Sequence, residues 1–232
     1  MNGKRILKLL NNASRTCKNQ NEKTGCSKCP LKDIVEGECL FKKQPKEWDN
    51  EYITEELINL ENYVGKTVVL DTETTGIGED DEILQLSIID ENENTLYNEY
   101  FKPRYKTSWP RAEAVNHISP EMVSDKTTIY EKQNEIQKIM SEVNTVIGYN
   151  IEFDLMMLRR AGIYLNPFAE KIDVMKRFAD YYGDYDPKHK RYKYKNLKLC
   201  AETLGYKGDN LHDSLEDCKA TLFAYKKLNQ IY

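Results

Sequence analysis

Lys66-Thr67-Val68-Val69-Leu70-Asp71-Thr72-Glu73-Thr74-Thr75-Gly76 joins an apolar run to two acids one residue apart. Val68, Val69 and Leu70 predict a buried β-strand over residues 66–71, stopped by Gly76. Side chains two apart on a strand share a face, so Asp71 and Glu73 leave the strand end together. Paired carboxylates repel one another and resist burial unless a positive charge neutralises them. A divalent cation is the simplest neutraliser, and carboxylate oxygens suit Mg2+ or Mn2+. Taken alone, the pair also fits an ordinary solvated strand exit.

Further acids occur where they can join this pair. Val146-Ile147-Gly148-Tyr149-Asn150 predicts a second short strand over about 145–149. Ile151-Glu152-Phe153-Asp154 then leads into an apolar helix pattern over 152–161, which puts Asp154 at a strand-to-helix junction. His212-Asp213-Ser214-Leu215-Glu216-Asp217 opens a last helix predicted over 214–230, with Asp217 in its first turn. A histidine and a carboxylate five apart across such a junction can face one site from two directions. Each piece has a plain structural alternative. Asp154 suits a helix N-terminus through the macrodipole. Ser214 with Asp217, or Asp213 with Glu216, fits a capping box. His212 fits a surface histidine. The combination is more specific than its parts.

Val-Leu-Asp-Thr-Glu-Thr-Thr-Gly at residues 69–76, Gly-Tyr-Asn-x-x-Phe-Asp at 148–154 and His-x4-Asp at 212–217 resemble the three exonuclease motifs of the DEDD superfamily. The histidine five before the last aspartate is similar to the DEDDh branch, and the likeness covers about residues 64–232. Val115-Asn116-His117-Ile118-Ser119-Pro120 resembles the His-Gly-Ile loop of that family, without the usual glycine after His117. Asn196–Gly205 resembles the helix before the third motif, with Cys200 where a leucine is usual. The third motif departs from the commoner pattern at Asp213, Ser214 and Cys218.

The resemblance implies a ribonuclease H-like fold and a metal-dependent 3′–5′ exonuclease that releases nucleoside 5′-monophosphates from single-stranded or frayed DNA ends. Asp71, Glu73, Asp154 and Asp217 would hold two Mg2+ or Mn2+ ions, and neutral His212 would act as general base. Thr74, Thr75 and Gly76 would let backbone approach the terminal nucleotide, and His117 would contact substrate. Phe153 either packs against that nucleotide or fills the core. Asn150 either hydrogen-bonds within the site or caps the following helix. RNA or short oligoribonucleotides are the alternative substrate. A nucleic-acid-binding module with a nearly silent nuclease site is the alternative from another class.

The formal net charge of −4 conceals an asymmetry, because residues 1–46 carry 11 Lys+Arg against 4 Asp+Glu. That basic head also holds Cys17-x8-Cys26-x2-Cys29-x9-Cys39. Cys26 and Cys29 have a metal-knuckle spacing, which Cys17 and Cys39 can complete. A segment with so little apolar material lacks a core of its own, and one structural Zn2+ would supply the missing folding energy. An iron–sulfur cluster, free thiols or disulfides are the alternatives. Residues 1–46 therefore read as a basic zinc-binding segment, 47–63 as linker and helix, and 64–232 as the exonuclease domain. The head could also meet a protein partner. Cys200 and Cys218 read as small core residues. No run is apolar enough for a membrane span or a secretory signal, so no membrane partner and a cytoplasmic setting are expected.

Strands are predicted at about 66–71, 83–89, 95–101, 145–149 and near 172–174, with helices at about 129–143, 152–161, 196–205 and 214–230. Asp90–Asn94 supplies a hairpin turn. Strands first and then alternating α and β indicate an α/β mixed sheet flanked by helices. Between Lys188 and Lys198, basic residues interleave with Tyr192 and Tyr194. Lys190, Arg191 and Lys193 would meet phosphates there, or the segment is a solvated loop.

Overall fold

A computed structural model describes residues 66–208 and 212–231, which fall within one compact unit, Lys66–Tyr232. The cysteine-rich head, with Cys17, Cys26, Cys29 and Cys39, lies outside the described residues, as do the linker and the helix expected at 52–63.

Five strands form one mixed sheet: β1 (Lys66–Thr74), β2 (Ile83–Asp90), β3 (Thr95–Tyr100), β4 (Val143–Gly148) and β5 (Glu170–Asp173). The order across the sheet is β3-β2-β1-β4-β5. The hairpin strands β2 and β3 pair antiparallel with their neighbours, whereas β4 and β5 run parallel to β1. Parallel pairing needs a crossover, and α4 (Ile151–Arg160) lies in the one between β4 and β5. The other helices are α1 (Pro110–Asn116), α2 (Pro120–Val123), α3 (Gln133–Ser141), α5 (Val174–Tyr182), α6 (Leu197–Leu204) and α7 (Ser214–Ile231). This is the expected ribonuclease H-like arrangement. Among the described residues, no helix is long and apolar enough to cross a membrane.

Alternation along β1 sorts the core. Val68 and Leu70 face a cluster with Ile136 and Met140 of α3 and Leu155 and Leu158 of α4. Val69 faces the other layer, with Phe178 of α5, Cys200 of α6, and Cys218 and Leu222 of α7. Both cysteines are fully buried, as their apolar settings predict. β2 is covered on both sides and buried from Ile83 to Ile89, its polar Gln85 and Ser87 included.

The helix expected at 129–143 is shorter, the strand expected at 145–149 begins at Val143, α1, α2 and α5 were not expected, and three further departures bear on the site and its flank. β1 does not stop at Asp71 but runs on to Thr74, because Asp71 pairs with Ser87 and Glu73 with Gln85 on β2. The strand expected to reach Val174 ends at Asp173, whose side chain accepts from the Met175 N–H and starts α5. The basic segment is not a bare loop. It forms a small hairpin, β6 (Tyr185–Asp186) and β7 (Arg191–Tyr192).

Candidate active site

Asp71 and Glu73 share the parity of Val69, so they point from β1 toward the layer that holds α7. α7 packs across β1 and β2 and brings Asp217 to the same place. Carboxylate oxygens of Asp71, Glu73 and Asp217 lie within 4.8 Å of one another. Asp154, in the first turn of α4, comes from the opposite layer. Its Oδ1 accepts from the Thr72 N–H at 3.1 Å and the Thr72 hydroxyl at 2.7 Å, which pins it to the backbone between the β1 acids.

Burial and mutual repulsion dominate the electrostatics. Burial, then the charges of Asp154, Asp217 and Glu73, hold the Asp71 carboxyl well above the usual carboxylate range. Burial, then Asp217, pushes Glu73 up to about 8, opposed by a hydrogen bond from Asn116. Burial carries Asp154 to about 7 although both Thr72 bonds favour the anion. Burial carries Asp217 to about 6, opposed by the His212 N–H, which donates to Asp217 Oδ1 at 3.2 Å. Four crowded carboxylates with raised pKa values are an all-oxygen donor set short of positive charge. That chemistry fits hard divalent cations.

His212 is exposed and has a φ of 89°. This left-handed backbone is costly for a residue with a Cβ. Next to it, Asp213 Oδ1 accepts from the N–H groups of Leu215 and Glu216 at 3.1 and 3.3 Å, so Asp213 caps α7. Ser214 instead bonds Ser87, at 2.7 Å between hydroxyls. Asp213 Oδ2 accepts from Gln85 Nε2 at 3.1 Å and from the Tyr100 hydroxyl at 3.2 Å. The two departures at 213 and 214 thus anchor the start of α7 to β2 and β3.

The remaining predicted contacts are placed unevenly. The Thr74 hydroxyl donates to Gly76 O, and the Thr75 hydroxyl donates to Asp81 Oδ1. A Cβ on Gly76 would lie 2.5 Å from the Asp81 carboxylate, which would have to shift from its Thr75 and Gly78 contacts. Asn150 is the N-cap of α4 in a left-handed conformation without a side-chain cap bond. Phe153 is half-buried against the α4 side of the core. Lys193 is engaged with Asp184 at 3.1 Å, whereas Lys190 and Arg191 form no ion pair among the described residues.

Sequence reasoning missed Asn116. His117 has a φ of 59°, so it occupies the place where the His-Gly-Ile pattern has its glycine. Asn116 then takes the preceding place, buried, donating to Thr74 O at 3.1 Å and to Glu73. The signal was the register of the pattern. His117 itself is exposed.

The raised carboxylates make a stability prediction. Their unfolded pKa values are about 4, and the folded values reach about 8. Across that window the folded chain binds more protons than the unfolded chain, so stability falls as pH rises. Each tenfold change in proton affinity is about 1.4 kcal/mol, and each kcal/mol is about 2–4 °C in a domain of this size. In chelator, the melting temperature should therefore drop by more than about 5 °C between pH 5.5 and 8.5. Mn2+ should restore most of it at the higher pH. A melting temperature flat with pH in both conditions would contradict the crowding.

The exonuclease family model RNase_T matches residues 68–225. The uncharacterized exonuclease CP81 of Escherichia phage 186 is 28% identical over 165 residues, covering 67% of this chain and 84% of the relative. RNA exonuclease 4 of Saccharomyces cerevisiae is 25% identical, covering 73% of this chain and 56% of that protein. Among solved structures, E. coli exonuclease I in complex with a dA16 oligonucleotide superposes with a TM-score of 0.59 at 20% identity, over 72% of this chain and 41% of that one. Exonuclease X in complex with 5′ overhanging duplex DNA gives a TM-score of 0.52 at 22% identity, over 71% and 92%. The chain thus spans about half of the yeast relative and less than half of exonuclease I.

Proposed function

The chain belongs to the RNase_T exonuclease family, and from that premise we propose that it is a metal-dependent 3′–5′ exonuclease acting on single-stranded or frayed DNA ends. The observation that carries this reading is the convergence of Asp71, Glu73 and Asp217 within 4.8 Å, with Asp154 beside them. These four residues would hold two Mg2+ or Mn2+ ions, whose chemistry is to acidify the attacking water and stabilise the leaving 3′-oxygen. The protein groups have separable tasks. Thr72 orients Asp154, and Asn116 orients Glu73. His212, exposed and joined to Asp217 through its backbone N–H, would accept the proton of the attacking water. The Asp213 cap and the Ser87–Ser214 bond hold the start of α7, and with it Asp217, in register with β1.

RNA is the second reading, favoured by the likeness to RNA exonuclease 4. The DNA-bound exonucleases that share the fold favour the first. Matched labelled single-stranded DNA, duplex DNA and RNA, compared by kcat/KM in Mn2+, test the choice. A kcat/KM for RNA above that for single-stranded DNA would reverse it.

The head is proposed to bind one structural Zn2+ through Cys17, Cys26, Cys29 and Cys39, and to contribute to substrate affinity. Its formal charge is +7, from 11 Lys+Arg and 4 Asp+Glu, before any metal binds. Elemental analysis should find about one zinc per chain. Deleting residues 1–46 should weaken oligonucleotide binding and flatten its salt dependence, because fewer phosphates are neutralised. Unchanged affinity and salt slope would instead leave the head to a protein partner.

A further inference from the structure

We infer that the β6–β7 hairpin and its flanks form a stacking surface for the single strand upstream of the terminal nucleotide, an inference that rests on the exonuclease reading above. Residues 181–198 hold five tyrosines and six Lys/Arg against two Asp, in a chain whose net charge is −4. The five tyrosines are each between 37% and 51% exposed. Tyr181 and Tyr182 pack on the buried Phe178, whereas Tyr185, Tyr192 and Tyr194 lie on or beside the hairpin, and large aromatics exposed together mark a binding surface more often than a packing need.

The hairpin is built to hold its shape. Asp186 Oδ1 accepts from the N–H groups of Lys188 and His189 at 2.9 and 3.2 Å, and its other oxygen bonds His189 Nδ1 at 2.7 Å. Tyr185 and Tyr192 face each other across the two strands, with ring centroids 5.5 Å apart and planes at 74°. Lys193 and Lys195 both reach Asp184 at the base. The Tyr149 hydroxyl donates to the carbonyls of Lys195 and Asn196 at 2.8 and 3.2 Å. Tyr149 immediately precedes Asn150, the N-cap of the helix that carries Asp154. The hairpin base is therefore fastened at the C-terminal end of β4, beside the start of the helix that carries Asp154, with little ordering left to do on binding.

Charge and surface chemistry select the occupant. Lys193 and Lys195 offset Asp184 at the base, which leaves Asp186 as the one acid of the segment set against Lys188, Lys190 and Arg191. Lys188, Lys190 and Arg191 have no acidic partner among the described residues. The Arg191 guanidinium lies 4.5 Å over the Tyr194 ring, joining cation and aromatic face in one surface. Protein interfaces deplete lysine from their centres. Lysine interleaved with open aromatic faces is the pattern for phosphates and unpaired bases, read without sequence preference.

The test compares the Tyr185→Ala/Tyr192→Ala pair with the Tyr185→Phe/Tyr192→Phe pair, which keeps both rings. Oligothymidylates and oligouridylates of 2 to 12 nucleotides serve as substrates in Mn2+. In the wild type, KM should fall with length. The alanine pair should raise KM about 10-fold or more for the 12-mer, the scale for lost base stacking, and change dinucleotide cleavage less than about 2-fold. The phenylalanine pair should match the wild type. Lys190→Gln should reduce the salt slope of binding by about one. Wild-type length dependence in the alanine pair would overturn the inference and leave the tyrosines to a protein partner. Equal losses on 2-mer and 12-mer would also overturn it, as damage to the site. If the wild type cleaves none of these, the exonuclease reading fails. Fluorescence anisotropy of a labelled 12-mer still decides the surface, with about 10-fold weaker binding by the alanine pair expected and equal binding overturning it.

Discussion

Asp71→Asn is expected to abolish release of nucleoside 5′-monophosphates, by about 10³-fold or more, while raising the melting temperature of the metal-free protein. The two effects have one cause. Asp71 sits where the charges of Asp154, Asp217 and Glu73 are all felt together. Asparagine keeps its shape and removes its charge. Repulsion falls, so folding gains, most clearly at pH 8, where the neighbouring carboxyls are more fully ionised. Cation affinity falls for the same reason. A loss of 10³ corresponds to about 4 kcal/mol of transition-state stabilisation, within the several kcal/mol that a bound divalent cation supplies. Product release and melting in chelator should be measured on the same preparation. Near-normal turnover would remove Asp71 from the site, and a lower melting temperature would show that its charge is already neutralised by the protein.

His212→Ala should slow cleavage by about 10²-fold or more, the range for losing a general base, and should leave the 3′ polarity unchanged. The residue is exposed in a left-handed backbone, and its N–H donates to Asp217. Alanine keeps that N–H, so the Asp217 contact survives while the imidazole is lost. Single-turnover cleavage at saturating Mn2+ should show the loss in the chemical step itself. An unchanged single-turnover rate would make His212 a structural residue. His212→Gly adds a control, because glycine relieves the left-handed backbone. If it matched the wild-type rate, the side chain would have no role in proton transfer.

The parts of the fold legible in the sequence were those with continuous apolar runs. Val68–Leu70 and Val146–Ile147 are apolar and buried on both faces, and short runs of that kind bounded by turn residues fit a central strand. The end of β1 was not legible, because Asp71-Thr72-Glu73-Thr74 is polar and its strand geometry depends on pairing with β2. The start of α5 was hidden for a similar reason. Ile172-Asp173-Val174 reads as a strand until Asp173 is recognised as a cap that turns the chain. The hairpin β6–β7 has no buried face in β7, so periodicity could not separate it from a loop. At the site, the acids could be read because their chemistry is tied to residue type and order. Asn116 could not, because its role depends on a one-residue register that only the left-handed backbone of His117 reveals.

Asp71, Glu73, Asp154 and Asp217 are proposed to make a metal-dependent 3′–5′ exonuclease of this chain. The most direct measurement follows a single-stranded oligonucleotide labelled at its 5′ end, in Mn2+ and in chelator. With Mn2+, the labelled strand should shorten one nucleotide at a time from its 3′ end, releasing unlabelled nucleoside 5′-monophosphates. In chelator, and with Asp71→Asn in Mn2+, it should stay intact. Labelled mononucleotide as the first product, internal cuts, or equal shortening in chelator would contradict the account.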